Sequence, residues 1–487
     1  MLSTDKKISI ANIELQAWIW LGLPMLLFLY GWMRWWISLP LCALLIYSTA
    51  RVIIRQRKQP VTERGGETHG RWQDVTVTRS YKMSLLFLFI FLVLIGMGGF
   101  FPQHYDYVWR NAVFFDLVRR DWPVVYEAPD PQLMCYYFGY WLPASLVGKA
   151  TGGLIMPGDI ATLFWGFWGM AIGFTFLVSF LGGRTRWWYL PVLLMFGFWD
   201  STIYALFDSK IAEMMGIDDF WQLYSNYMSF SSATQLKMIF NQTIPLWIAL
   251  PMLWKLRRHP GHMVLLCALL FLFSPLACIG ISTAVLFWIA RNLKAAMTLE
   301  NITGLLILAV TGIFYMSNNN ASSTHPSRIL EWWKILIIGI GFYVLSIGVY
   351  LPFVWNLVKR DPTFIIMAAT CFILPFLTLG DSDDLGRRAT MSLTILLTYA
   401  TIGQLNKYKS LSKWKRIALP IVLALGITDS ATVLYCIPKD IIFNIEHDKY
   451  PKHIYMMGKL DDPIVNYHYN NFIADGESLY TKYLMKR

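Results

Sequence analysis

The stretch "MSLLFLFIFLVLIGMGGFF", Met83 to Phe101, holds no charged residue. About twenty such residues, coiled into a helix, cross the ~30 Å hydrocarbon core of a bilayer. Runs of this kind recur along the chain, and they restrict its fold more than any other feature. Backbone inside hydrocarbon must satisfy its own hydrogen bonds, which leaves helices packed on helices. Composition agrees: of 487 residues, 56% are hydrophobic and only 15% charged, where a soluble domain carries about 25%. The expected fold is an all-α polytopic membrane protein. The first run begins near Leu15 after a polar start and lacks a small-residue cleavage site, so it reads as a retained helix.

The net charge of +12 raises the question of nucleic acid, but the basic residues gather in loops between apolar runs, where the positive-inside rule accounts for them. No nucleic-acid partner is expected. The loop from Arg51 to Lys82 has eight Lys/Arg against three acids and is assigned to the cytoplasm, with "KLRRH" (255–259), "RNLK" (291–294), Lys359–Arg360 and "KYKSLSKWKR" (407–416). Alternation then puts 103–135, 317–334, 380–388 and the tail from Ile437 outside. Residues 1–436 read as the transmembrane domain and 437–487 as a small extracytoplasmic appendage. Between Cys135 and Asn241 lie three apolar runs where parity allows two crossings. The third (187–206), interrupted by Pro191 and Asp200, is expected to be the incomplete one. "HMVLLCALLFLFSPLACIGISTAVLFWIA", 262–290, has two arms hinged at Ser274–Pro275, each of about thirteen residues and too short for an ordinary crossing. It reads as a short hairpin walling a cavity.

Chemistry-bearing residues gather at the outer edge. In "QHYDYVWRNAVFFDLVRRDWP" (103–123), Tyr107, Phe114, Phe115 and Val118 recur at helical spacing. The segment is expected to be an amphipathic helix lying in the interface plane, with Arg110, Arg119 and Arg120 near headgroups or a lipid phosphate. Asp106 stands at its start, either as a cap favoured by the helix dipole or as a free carboxylate. Asp116 has Arg119 and Arg120 at helical spacing. Asp121 reads as a turn residue and Glu127 as a surface one. "GDSDDLGRR" (380–388) is either a solvated turn or an anion site in which Arg387 or Arg388 binds and Asp384 holds the guanidinium of Arg388. Asn241 and Gln242, in "SFSSATQLKMIFNQTIPLW", suit sugar hydroxyls and suit helix capping equally. Cys135 and Cys436 fall on the same side and either pair or are buried. The six cysteines show no metal spacing; no nucleotide-binding, metalloprotease or nucleophile-elbow motif is present. The apolar runs are nearly free of ionisable residues, Asp200 and Asp429 excepted, which favours chemistry at the surface over passage through the membrane.

"DYVWRNAVFFDLVRRDWPVVYE", "YYFGYWLPASLVGK", "FNQTIPLW", "FSPLACIGI" and "DDLGRR" together resemble the polytopic GT-C glycosyltransferases, in particular a bacterial GT-C-like set. The resemblance covers roughly residues 101–405. It implies a GT-C-like bundle of about eleven to thirteen transmembrane helices, some short or broken. It also implies inverting transfer of a sugar from a polyprenyl-phosphate donor to a glycan, lipid or protein acceptor, on the periplasmic face of a bacterial inner membrane. Asp106 would then be the base and Arg388, Arg387 and Arg110 the donor-phosphate ligands. Asp384, Asn111, Asp116, Asn241, Gln242 and Tyr137 would support the site or bind substrate. Many GT-C enzymes have a second acid beside the first-loop aspartate, where this chain has His104-Tyr105; no metal or other cofactor is expected. The alternatives are a lipid-linked glycan flippase or polymerase of the envelope, or a non-catalytic membrane scaffold.

Overall fold

A computed structural model describes residues 6–58, 72–104, 106–126, 131–215, 229–257, 259–319, 332–359, 361–374, 377, 384–442 and 469–486. The chain is mostly helical. Its helices are α1 (Ile10–Trp32), α2 (Trp35–Lys58), α3 (Arg79–Leu94), α4 (Tyr107–Arg119), α5 (Leu142–Ala150), α6 (Ile155–Phe180), α7 (Tyr189–Met195), α8 (Trp199–Met215) and α9 (Ser232–Leu256). They continue as α10 (Met263–Phe271), α11 (Pro275–Arg291), α12 (Leu299–Met316), α13 (Trp332–Ser346), α14 (Leu351–Val358), α15 (Pro362–Ile373), α16 (Asp384–Asn406), α17 (Lys413–Gly426) and α18 (Thr428–Ile442). Among the described residues, five helices are long and apolar enough to cross a membrane, or six if the pair α17–α18, bent by 45°, counts as one span. The larger number expected would have to be made up by shorter and broken helices.

The bundle has two ends. At one, the basic end, acids hidden from the composition argument tie helices together. Glu14 of α1 pairs with Lys255 of α9. Glu300 of α12, almost fully buried, lies 3.3 Å from Arg51 and 3.1 Å from Arg55 of α2. Asp361, which caps α15 through the Thr363 amide, pairs with Arg257 at 3.2 Å and accepts the Trp254 indole N–H at 2.6 Å. In the interior, the ring of Trp20 in α1 stacks on Trp165 and Phe273 at 4.9 and 5.4 Å.

The third apolar run before Asn241 is broken, as expected, and the first is short as well. After the bend at 139–141 the first run is only the nine-residue α5, and it packs back against α4. The Lys149 ammonium donates to the carbonyl of Arg120, just past α4, and a Cβ on Gly148 would sit 2.9 Å from Val118. The run 187–206 is broken at 196–198, between α7 and α8. There the backbone of Gly197 meets Gly426, so close that a Cβ on Gly197 would come within 2.5 Å of the Gly426 oxygen. Asp200 Oδ2 accepts the amide of Ser229 (2.8 Å), and Asp429 Oδ2 accepts that of Ser231 (2.6 Å). These two acids in apolar runs therefore anchor the segment leading into α9.

The hinge at Ser274–Pro275 is present between α10 and α11. Its apex reaches the site end, where the Leu272 carbonyl accepts from the Tyr315 hydroxyl at 2.7 Å. Helix α4 departs from expectation. Its residues from Tyr107 to Arg110 and from Ala112 to Phe114 are buried, as are Asp116 to Val118, so it is enclosed by protein and does not float in the interface plane. Its cover comes from α5 and from the end of the chain. Strand β1 (Lys7–Ile8) pairs with β2 (Val75–Thr76); separately, β5 (Ile473–Asp475) pairs with β4 (Gln132–Met134), which pairs with β3 (Val125–Tyr126), all antiparallel. Phe472, just before β5, stacks on Trp109 at 4.9 Å and lies 4.6 Å from the ring of Tyr136. Helix α18 runs to Ile442, past the point where the tail was expected to leave the membrane. All six cysteines are free thiols, and that of Cys135 donates to the Phe314 carbonyl.

Candidate functional site

Three separate segments meet at the site end: the start of α4, the loop after β4, and the start of α16. Asp106 occupies the N-cap position of α4, but its side chain makes no capping bond. The carboxylate is therefore not spent on the helix, and it is 37% exposed. Oδ2 lies 3.7 Å from Arg110 Nη2 and 3.6 Å from His104 Nδ1. The Asp106 amide donates to that same imidazole nitrogen at 3.3 Å.

Arg110 and Arg388 are both buried, each with guanidinium nitrogens left over. Asp384 serves two arginines: Oδ1 lies 3.0 Å from Arg387 Nη2, and Oδ2 accepts from Arg388 Nη2 at 3.3 Å. Helical spacing of three and four makes this double pairing possible. Burial would push the Asp384 carboxyl up, but Arg388 and then Arg387 outweigh it and hold it below its ordinary value. Arg110 Nη1, Arg387 Nε, and Arg388 Nε and Nη1 are buried without hydrogen-bond partners. A buried donor left unmade costs roughly 1–3 kcal/mol, more for a charged group. Three guanidiniums meet two carboxylates here, and donors are left to spare.

Tyr137 belongs to the same cluster. Burial raises its phenol above the ordinary value, Arg388 pulls it back, and Asp384 raises it again. The charge of Asp106 also acts on Arg388, and that of Arg110 acts on Asp384. Asp106, Arg110, Tyr137, Asp384 and Arg388 thus share one electrostatic environment.

Asn241 and Gln242 lie in the layer against it. The ring of Phe240 stacks on Tyr107 at 5.4 Å, and α9 is kinked immediately before, at Ile239. Gln242 Oε1 accepts from the Ser274 hydroxyl at 3.1 Å, joining α9 to the hairpin hinge. Asn241 is fully buried, and neither atom of its amide has a partner. Two other candidates are engaged elsewhere. Asn111 donates to Gln103 Oε1 at 2.6 Å, and Gln103 donates in turn to the Gly96 carbonyl, which fastens the turn after α3. Asp116 is fully buried, accepts from the Tyr126 hydroxyl at 2.9 Å and lies 3.5 Å from Arg120; it braces α4 against β3. Glu127 and residues 380–383 lie outside the described residues. Among the described residues no group of three His, Cys, Asp or Glu is placed to hold a metal ion.

Sequence reasoning missed Tyr136 and Phe472. Tyr136 was legible only as part of "YYFGYW", and Phe472 carried no signal, since its role depends on a strand pairing across more than three hundred residues. Compared with protein-family models, curated proteins and solved structures, the chain matches none.

Proposed function

We propose that the chain is a membrane glycosyltransferase of GT-C type, with its basic end in the cytoplasm and its site end on the periplasmic face. The observation that carries the reading is an uncapped, accessible carboxylate beside buried guanidinium donors that have no partner. Such donors suit a phosphate, whose oxygens match the guanidinium fork. The carboxylate suits a hydroxyl that must lose its proton.

In this reading the donor is a polyprenyl-phosphate sugar. Asp106 takes the proton from the acceptor hydroxyl as that oxygen bonds to the anomeric carbon. The bond from that carbon to the phosphate oxygen breaks, and its electron pair leaves with the polyprenyl phosphate. Arg388 and Arg110 hold the growing charge, with Asp384 setting the pose of Arg388. A single displacement inverts the anomeric centre. The Asn241 amide is available to sugar hydroxyls.

Replacing Asp106 by Asn tests the reading. Transfer from a polyprenyl-phosphate sugar falls by about 10²–10⁴-fold, the usual worth of a positioned base. Thermal stability and donor retention stay as in the parent protein, since no capping bond is lost. A flippase would instead move its lipid-linked glycan across vesicles as fast after the Asp106→Asn change as before it, and a scaffold would show no transfer in either protein.

A further inference from the structure

A second cationic pocket lies at the turn between α1 and α2, about 580 Å³ in volume. Among the described residues, Arg34 and Lys486 line it and no carboxylate does. The Arg34 guanidinium is fixed by backbone carbonyls, Nη2 donating to that of Lys482 at 2.7 Å and Nε to that of Met485 at 3.2 Å. The Lys486 amide donates to the Trp32 carbonyl at 2.9 Å, and its ammonium lies 5.2 Å from the ring of Tyr30. The Arg34 charge is thus held in place by backbone carbonyls, and that of Lys486 lies over the Tyr30 ring. Within the same lining, the Ser38 hydroxyl is buried, with only the weakly accepting Cys42 sulfur one turn on as its partner.

The surroundings identify what fits. Tyr30, Trp35 and Trp36 expose most or half of their surface around the pocket, 64%, 70% and 50%. Aromatic rings at the end of an apolar helix mark headgroup depth. Only 28% of the α2 span is buried within the protein, so one side of the pocket continues into a helix face open to acyl chains. We infer that this pocket binds an anionic phospholipid, with the headgroup phosphate between Arg34 and Lys486, the Ser38 hydroxyl as a further donor, and the acyl chains along α2. The inference needs only that these helices span a bilayer and is independent of the proposed reaction.

The test uses the full chain in nanodiscs of phosphatidylcholine containing a minority of phosphatidylglycerol, with bound lipid counted by native mass spectrometry after transfer to detergent. Wild type retains phosphatidylglycerol in preference to phosphatidylcholine. Lys486→Gln and Ser38→Ala each lower that retention, Lys486→Gln by about five-fold, the worth of one basic residue near an anionic surface. Both variants melt as wild type does in phosphatidylcholine alone; should Lys486→Gln fail to fold, Ser38→Ala carries the comparison. Equal retention of the two lipids by wild type overturns the inference, as does undiminished retention in both variants. Displacement of the lipid by millimolar inorganic phosphate also overturns it, because the pocket would then be a site for a soluble anion.

Discussion

Asp384 carries two arginines at once, and its ionisation is tied to the stability of the start of α16. Its folded value lies below the ordinary 3.8. The carboxylate therefore contributes stability that is fully present above that ordinary value and is lost as pH falls through the lower, folded one. Thermal melts of wild type and Asp384→Asn across this acidic range will differ in shape. The variant is less stable at neutral pH, by about 3 kcal/mol for a broken buried pair, and lacks the acid-dependent loss that belongs to this group. The pairing was legible because residues three and four apart share a helix face. The contrast between Asp106 and Asp116 was not. Both stand on α4 among arginines, yet one is left accessible and the other is walled in by Tyr126. What separates them is the course of β3, which local spacing does not encode. The bond of Asn111 was not legible for a similar reason, because its partner Gln103 is brought to it by a turn through Gly96, Gly98 and Gly99, all at positive φ.

At the scale of elements, the start of α16 is positioned by the hairpin. A Cβ added to Gly280 of α11 would lie 2.6 Å from the Ala389 carbonyl oxygen and 2.9 Å from its Cα, so any side chain here forces the two helices apart. Gly280→Val is expected to destabilise the protein by roughly 1–3 kcal/mol, the usual cost of overpacking. It also shifts Arg388, which precedes Ala389. The proposed transfer activity should fall in Gly280→Val even at temperatures where melting curves show the protein fully folded. The hinge of that hairpin was readable from Ser274–Pro275 and from arms too short to cross. The break in the third run before Asn241 was readable from Pro191 and Asp200, while nothing local says that α5 is short and packs onto α4. The expected amphipathic face of α4 failed likewise: its aromatic residues are covered by segments far away in sequence.

Across the whole molecule, charge is divided between the two ends. The basic end is more than an orientation signal, since Glu14, Glu300 and Asp361 are each paired there with basic residues of other helices. Replacing Arg51 and Arg55 together by Ala leaves the buried Glu300 carboxylate without a cationic partner. Unfolding in detergent should then come about 3 kcal/mol sooner, while either single variant, which keeps one partner, loses less. The helical class of the chain, with several helices long and apolar enough to cross a membrane, was legible from its apolar runs, and the clustering of arginines and acids at one end followed from their positions between those runs. The closing of that end was hidden, because it depends on β5 and Phe472. Their place in the chain has a consequence for biosynthesis. A ribosome delivers Asp106 and Arg388 well before it delivers the strand that packs Phe472 onto Trp109, so the nascent protein carries these charged groups on an unfinished scaffold. The closing of this end is therefore a late event, set by the arrival of β5.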